Sequence, residues 1–227
     1  MKSVELYAGS AETSAWLRDE GWATTTVDVD PSCRVDVVDD ILNLPKTFCD
    51  RARVVVAGVE CSTYTYLQGG KHRSLEQPEG FSPEARRANS EAAHLLEMFR
   101  SAKRANSKTL FFVENPVGYM QHSQFARRME TELGLTRLRV TFCSFTVGRE
   151  RVRKPTHLWT NSRVLIGMFK NDMFYCTPEK PCGCANHISV RPARGAGYRA
   201  RDAAWWPVEF ASLVARVLAN ESRSLAA

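Results

Sequence analysis

The sequence predicts an α/β protein built on a doubly wound, mostly parallel sheet, with a small Cys- and Arg-rich appendage near its C-terminal end. Three observations carry this. Short β-branched or aromatic runs alternate with amphipathic segments along the chain. Several of the runs are apolar without alternation, as suits strands covered on both faces. The irregular sequence is gathered in one place, residues 170–204, rich in Pro, Gly, Cys and Arg.

In order, residues 3–8 read as a strand, 10–20 as a helix closed by Gly21, and 24–30 as a second strand. Residues 53–58 (RVVVAG) and 108–114 (KTLFFVE) read as two more strands. Between them lies a long helix with Ser82 as N-cap and Pro83 in its first turn. Ala88, Ala92, Leu95, Leu96, Phe99 and Ala102 give it an apolar side at helical spacing. A helix over 125–133, strands over 138–142 and 157–160, and a last amphipathic helix starting at Pro207 and running through Phe210, Leu213, Val214 and Val217 complete the pattern. No repeat or low-complexity tract interrupts it. The expected division is a core over 1–165, a recognition element over 166–204, and a C-terminal helix over 205–227 that packs back on the core.

At 227 residues the chain can bury a sizeable core without staples. Its 44% apolar and 25% charged residues exclude a disordered chain, a collagen-like chain and a small disulfide scaffold. No run approaches the roughly 18 apolar residues of a membrane span. The N-terminal MKSVELYAGS lacks an apolar signal core, which predicts a protein that is not secreted: cytoplasmic, or nuclear in a eukaryotic or viral setting. Seven cysteines, an odd number, fit a reducing compartment with thiols buried, catalytic or metal-bound. The net charge of +6 favours a polyanionic partner such as nucleic acid. A monomer without membrane contact is expected.

The first strand runs into a small-residue turn, Ala8, Gly9, Ser10, Ala11, Glu12, Thr13 and Ser14. Such a turn lets backbone approach a ligand whose polar part then faces the helix N-terminus. By itself it is equally a turn that packs helix on sheet. The second strand ends in Asp28-Val29-Asp30, where an acid can accept both hydroxyls of a ribose. There is no G-x-G-x-x-G and no P-loop lysine, so a nucleoside-type cofactor without pyrophosphate fits better than NAD. Asp39-Asp40-Ile41 offers a third acid to an adenine amino group, or is simply a solvated acidic turn.

The strand over 53–58 delivers Val59-Glu60-Cys61-Ser62, and the strand over 108–114 delivers Glu114-Asn115-Pro116. In an open α/β sheet both would reach the same edge, where ligands bind. For either residue alone, a buried cysteine or a solvated glutamate is the simpler reading. Taken with the cofactor end, the balance reverses.

The ordered series LYAGSAETS, VDVD, DDIL, GVECSTYT and FFVENP resembles the motif series of the cytosine-C5 DNA methyltransferases. STYTYLQGGKHR is similar to that family's mobile catalytic loop. Cys143-Ser144-Phe145 and the run RKPTHLWTN from Arg153 are similar to compact phage and viral members. The resemblance covers about residues 3–161 and the last helix. It implies a Rossmann-like class I methyltransferase fold and S-adenosylmethionine as cofactor. The cofactor would be bound by Tyr7, Ala8, Gly9, Ser10, Ala11, Glu12, Thr13, Asp28, Val29, Asp40, Ile41 and Gly58. Cys61, Glu114, Asn115 and Arg153 would be catalytic. The partner would be duplex DNA with a flipped cytosine. Nucleic-acid contacts are expected from Ser62, Tyr64, Lys71, Arg73, Arg151, Lys154, Arg191 and Arg194, with Tyr64 and Tyr66 supporting or replacing the displaced base.

The chain departs from the family where Glu60 replaces the proline before the cysteine. An acid there raises the thiol pKa and disfavours thiolate, points away, or assists proton transfer. Pro155 and His157 stand where the family has two alternating arginines, with Arg149, Arg151 and Arg153 just upstream. The usual large recognition domain is missing.

Cys176, Cys182, Cys184 and His187 put four potential ligands in one short segment, which either holds a structural zinc or carries reduced thiols and a surface histidine. The flanking Arg191, Arg194, Arg199 and Arg201 either contact phosphates or form a solvated basic loop. Trp205-Trp206 is expected in the core. The leading reading is methyl transfer to C5 of cytosine in DNA through a Cys61 adduct. The others are C5-pyrimidine modification of RNA or a free nucleotide, and a non-catalytic nucleic-acid-binding homologue.

Overall fold

The computed structural model describes residues 1–68, 70–146, 151–182, 187–189 and 206–226; at 151–152 and 187–189 the backbone alone is described. In chain order the elements are β1 (Lys2–Leu6), α1 (Glu12–Asp19), β2 (Ala23–Asp28), β3 (Val37–Val38), β4 (Val54–Gly58), α2 (Pro83–Ala105), β5 (Leu110–Pro116), α3 (Gln124–Leu133), β6 (Thr136–Thr141), β7 (Arg151–Arg153), β8 (Pro155–Thr160), α4 (Arg163–Phe169), β9 (His187–Ser189) and α5 (Val208–Ala226).

Seven strands form one sheet in the order β3-β2-β1-β4-β5-β8-β6. Only β8 runs against the others, pairing antiparallel with both β5 and β6. With helices on both faces, this is a doubly wound, Rossmann-like sheet. β7 and β9 form a separate parallel pair.

The sheet is buried on both faces, which explains the unbroken apolar runs. Val55, Ala57, Phe111 and Val113 point to the layer of α2 and α3, where Leu95, Phe99 and Met129 meet them. Val54, Val56, Leu110 and Phe112 point to the opposite layer, against Leu17 of α1, Leu165 of α4 and Phe210, Val214 and Leu218 of α5. Ser82 caps α2 as expected, its hydroxyl accepting the Ala85 N–H, with Pro83 at the helix start. Glu221 of α5 accepts from the Ser162 hydroxyl and the Arg163 N–H, so the last helix fastens the start of α4. Arg223 donates to the carboxylate and the carbonyl of Glu20, which holds α5 to the end of α1. No helix among the described residues is long and apolar enough to cross a membrane.

The two loops at the sheet's C-terminal edge are interlocked. Thr65 bridges Gly118, and the Tyr119 N–H donates to the Tyr64 carbonyl at 2.7 Å. A Cβ on Gly118 would lie 2.1 Å from that same carbonyl oxygen. Gly118→Ala is therefore expected to destabilise by about 2–3 kcal/mol, as overpacking against backbone does. Urea unfolding should show a lower midpoint with an unchanged slope; a midpoint equal to wild type would contradict the contact.

Candidate active site

β4 and β5 are parallel neighbours, and Gly58 stands opposite Glu114 in their register. The loop leaving β4 therefore passes beside the end of β5. Asn115 fixes this arrangement: its side-chain amide donates to the Val59 carbonyl at 2.9 Å and the Glu60 carbonyl at 3.4 Å. Cys61 follows at once, half-buried at the mouth of the crevice.

Glu60 supplies the loop's internal order. Its carboxylate accepts from the Ser62 N–H and, at 3.5 Å, from the Thr63 hydroxyl, while the Tyr64 and Thr65 N–H groups both donate to the Cys61 carbonyl at 3.0 Å. Side-chain capping of the turn thus stands where a proline would restrict it covalently. Burial pushes the Cys61 thiol up to about 11; Lys154 pulls it down, and Glu114 and Glu60 push it further up.

Glu114 is 4% exposed, and a carboxylate so buried needs compensation. The ammonium of Lys154 lies 3.4 Å from one oxygen, and the Trp206 indole N–H donates to the other at 3.2 Å. Lys154 is itself 8% exposed, and its ammonium sits 4.9 Å from the Phe142 ring. Trp206 packs edge-on to Phe112 and Phe210. The cation beside Glu114 is thus Lys154. Arg153 donates instead to the Cys176 carbonyl at 3.4 Å. His157 lies on β8, buried; desolvation and the nearby Arg137 and Arg139 lower its pKa to about 4, so it is neutral at physiological pH. Sequence reading placed Lys154 among nucleic-acid contacts; its step from β7 into β8, directly after Arg153, was the one signal for its other place.

Two further expected contacts are enclosed. Tyr64 and Arg73 are both fully buried, the guanidinium 3.8 Å from the tyrosine ring centre. Arg73 also donates to Asn89 and to the Pro78 and Ala85 carbonyls, so the pair supports the loop from beneath. Tyr64 therefore does not face a displaced base, whereas Tyr66 is 41% exposed, its hydroxyl near His122 and Gln121. Ser62 and Lys71 are exposed beside it.

A second cleft lies over the ends of β1, β2 and β3, lined by Tyr7, Asp28, Val29, Asp40, Ile41 and Arg87 among others. The turn leading into α1 is unusual: Tyr7, Gly9 and Ala11 all have positive φ. For Tyr7 and Ala11 this costs about 1 kcal/mol or more each. Asp28 accepts the Gly9 N–H and the Asp30 N–H at 2.9 Å each, which shapes the turn and leaves carboxylate lone pairs for a further donor. Glu5 accepts the Ser14 N–H at 2.8 Å from beneath, and burial raises its pKa to about 7. The Tyr7 hydroxyl and the Thr13 hydroxyl are buried without a hydrogen-bond partner among the described residues. Ala8 is buried, Ser10 exposed, and Glu12 and Gly58 half-buried. Val29, 63% exposed, offers an apolar surface beside these acids. Asp40 caps the turn over Ile41–Asn43 and pairs with Arg87, which also pairs with Glu91 at 3.0 Å. The set offers an adenosine-type ligand an acid at the β2 end, the apolar side chains of Val29 and Ile41, and the unpartnered buried Tyr7 hydroxyl. The pairing of Asp40 with Arg87 is a feature that sequence reading did not foresee.

Of the expected metal ligands, Cys176 is buried and Cys182 half-buried; Cys184 and the side chain of His187 lie outside the described residues. Cys143, which sequence reading assigned only to a Cys-x-Phe motif, lies beside Cys176 and Cys182. Arg149, Arg191, Arg194, Arg199, Arg201, Trp205 and the side chain of Arg151 are also outside the described residues.

Among solved structures, the chain is similar to a DNMT2 mutant of Spodoptera frugiperda, at 16% identity and TM-score 0.45, covering 86% of this chain and 56% of that one. It is similar to the methyltransferase EhMeth of Entamoeba histolytica, at 11% identity and TM-score 0.49, covering 70% and 52%. It is also similar to the Dnmt2 methyltransferase of S. pombe, at 12% identity and TM-score 0.45, covering 70% and 48%. The chain spans about half the length of the solved structures it matches. No family model and no curated protein matches it.

With a thiol pKa of about 11, roughly one Cys61 in a thousand is ionised at pH 8. Its alkylation by iodoacetamide, read by peptide mass, should accelerate about tenfold per pH unit from 8 to 10. Lys154→Met removes the cation that lowers the thiol pKa and should slow alkylation at pH 8. An unchanged rate would separate Lys154 from the thiol.

Proposed function

We propose that the chain is a compact member of the cytosine-C5 methyltransferases that methylates DNA through a covalent adduct on Cys61. The observation that carries this is the meeting of a thiol, a buried carboxylate and a buried ammonium at the ends of β4 and β5, on the same sheet edge as the acid-lined cleft at the ends of β1 to β3. In this reading residues 1–165 are the catalytic core, 166–204 the recognition element, and 205–227 a helix returning to the core.

S-adenosylmethionine, held by Tyr7–Thr13, Asp28, Val29, Asp40, Ile41 and Gly58, supplies an electrophilic methyl sulfonium when bound. Asp40, here paired with Arg87, would accept from the adenine amino group. The chain's own residues make the base reactive. Cytosine C5 is a poor nucleophile until a thiolate adds at C6, and Cys61 is that thiolate. Glu114, positioned by Lys154 and Trp206, would accept from the exocyclic amine and, carrying a proton when the base is bound, would donate that proton to N3 as Cys61 adds, neutralising the charge that develops there. Lys154 favours the thiolate. Asn115 holds the Cys61 loop over the base by its bonds to Val59 and Glu60. A base then removes the C5 proton, and β-elimination releases Cys61. Ser62, Lys71 and Tyr66 face the nucleic acid, with Arg191 and Arg194 contributing phosphate contacts. In duplex DNA the cytosine is flipped out of the stack.

The test is mass spectrometry of nucleosides from duplex DNA, single-stranded DNA and RNA incubated with the protein and S-adenosylmethionine. The expected product is 5-methyldeoxycytidine from duplex DNA, abolished in Cys61→Ala and reduced about 10²–10⁴-fold in Glu114→Gln. Product in RNA alone would move the substrate to RNA, and no product with normal cofactor binding would favour a non-catalytic binding role. Full transfer by Cys61→Ala would overturn the mechanism.

A further inference from the structure

The turn after β6 and the loop after α4 bring three thiols together at the far edge of the sheet from the cofactor cleft. Cys143 is fully buried in the turn over Phe142–Ser144, Cys176 is 3% exposed, and Cys182 is half-buried six residues later. Their sulfurs all lie within 4.8 Å of one another. The Cys143 and Cys182 sulfurs are 3.7 Å apart. A disulfide would hold them at about 2.05 Å. A tetrahedral metal with metal–sulfur bonds near 2.3 Å places its sulfurs about 3.8 Å apart.

The surroundings match that geometry. The Cys182 backbone N–H donates to the Cys176 sulfur at 3.4 Å, so the two loop positions are held against each other. The Cys176 N–H donates to the Thr141 hydroxyl, and the Thr141 N–H donates to the Phe174 carbonyl, so the loop is laid along the end of β6 by backbone bonds. Arg153 donates to the Cys176 carbonyl, and its Nε is buried without a hydrogen-bond partner among the described residues. A half-buried cation beside the cluster suits a centre in which three thiolates outweigh a divalent ion.

We propose that Cys143, Cys176 and Cys182 are three ligands of a structural, thiolate-rich site for a zinc-class divalent cation. A tetrahedral ion takes one more ligand. Binding replaces each S–H by a metal–sulfur bond and releases the proton to solvent. The site differs from one contained in residues 176–187, because Cys143 ties the appendage to the sheet. It also bears on the neighbouring chemistry: Phe142, next to Cys143, donates its N–H to the Lys154 carbonyl at 3.1 Å, and its ring faces the Lys154 ammonium. The proposal does not rest on methyl transfer and is tested without it.

The full chain is purified without chelator and its metal measured by mass spectrometry, then stripped and titrated with Co²⁺. About one zinc per chain is expected, together with a cobalt spectrum showing sulfur-to-metal charge transfer and tetrahedral d–d bands. Cys143→Ser, Cys176→Ser and Cys182→Ser should each lose most of the bound metal, while Cys33→Ser, near the opposite edge of the sheet, should keep it. Circular dichroism checks that each variant folds. If Cys143→Ser does not fold, the charge-transfer intensity of the wild-type cobalt protein decides, with at least three thiolates expected. A protein that takes up neither Zn²⁺ nor Co²⁺, a cobalt spectrum with two thiolates or fewer, a folded Cys143→Ser that retains full metal, or a Cys143–Cys182 disulfide in the purified chain would each overturn the site.

Discussion

Two strand ends and one amide govern the geometry of this molecule's edge. β4 and β5 are parallel neighbours with Gly58 opposite Glu114, so whatever follows β4 must pass beside whatever ends β5. Asn115 turns that proximity into a fixed relation by donating to the Val59 and Glu60 carbonyls. The Cys61 loop, the Glu60 cap, the Thr65–Gly118 bridge and the buried Tyr64–Arg73 pair are all arranged around it. A parallel sheet covered on both faces gives the two strands little freedom to slip, because a one-residue shift would turn Val55, Ala57, Phe111 and Val113 to the wrong layer.

Charge is the second constraint. Glu114 is held where water scarcely reaches, and a lone carboxylate there would be expensive. Lys154 offsets its charge and Trp206 donates to one oxygen, from two separate parts of the chain, the entry to β8 and the approach to α5. The C-terminal helix is thereby coupled to the crevice through Trp206 and its contacts with Phe112 and Phe210.

The sheet was legible because its central strands β4 and β5 carry short apolar runs and the long helix between them has a clear cap in Ser82-Pro83. β3, with two residues, and α4, with seven, were too short for periodicity to reveal. Cys61 and Glu114 could be paired from sequence because strand ends in a parallel sheet share one edge. The partners of Glu114 could not, since Lys154 and Trp206 arrive through tertiary packing that leaves no local pattern. Tyr64 and Arg73 read as a loop tyrosine and a loop base, and only the fold buries them against each other. The same holds for Cys143, whose approach to Cys176 and Cys182 depends on how the end of β6 meets the loop after α4.

The most direct test of the central claim is to trap the adduct. Duplex DNA carrying 5-fluorocytosine at candidate target positions has no C5 proton to lose, so elimination cannot release the nucleophile. Incubation with the protein and S-adenosylmethionine should yield a denaturant-stable complex, with one oligonucleotide attached at Cys61 by peptide mapping and none in Cys61→Ala. Methylation of ordinary cytosine without any trapped complex, or attachment at another cysteine, would contradict the account.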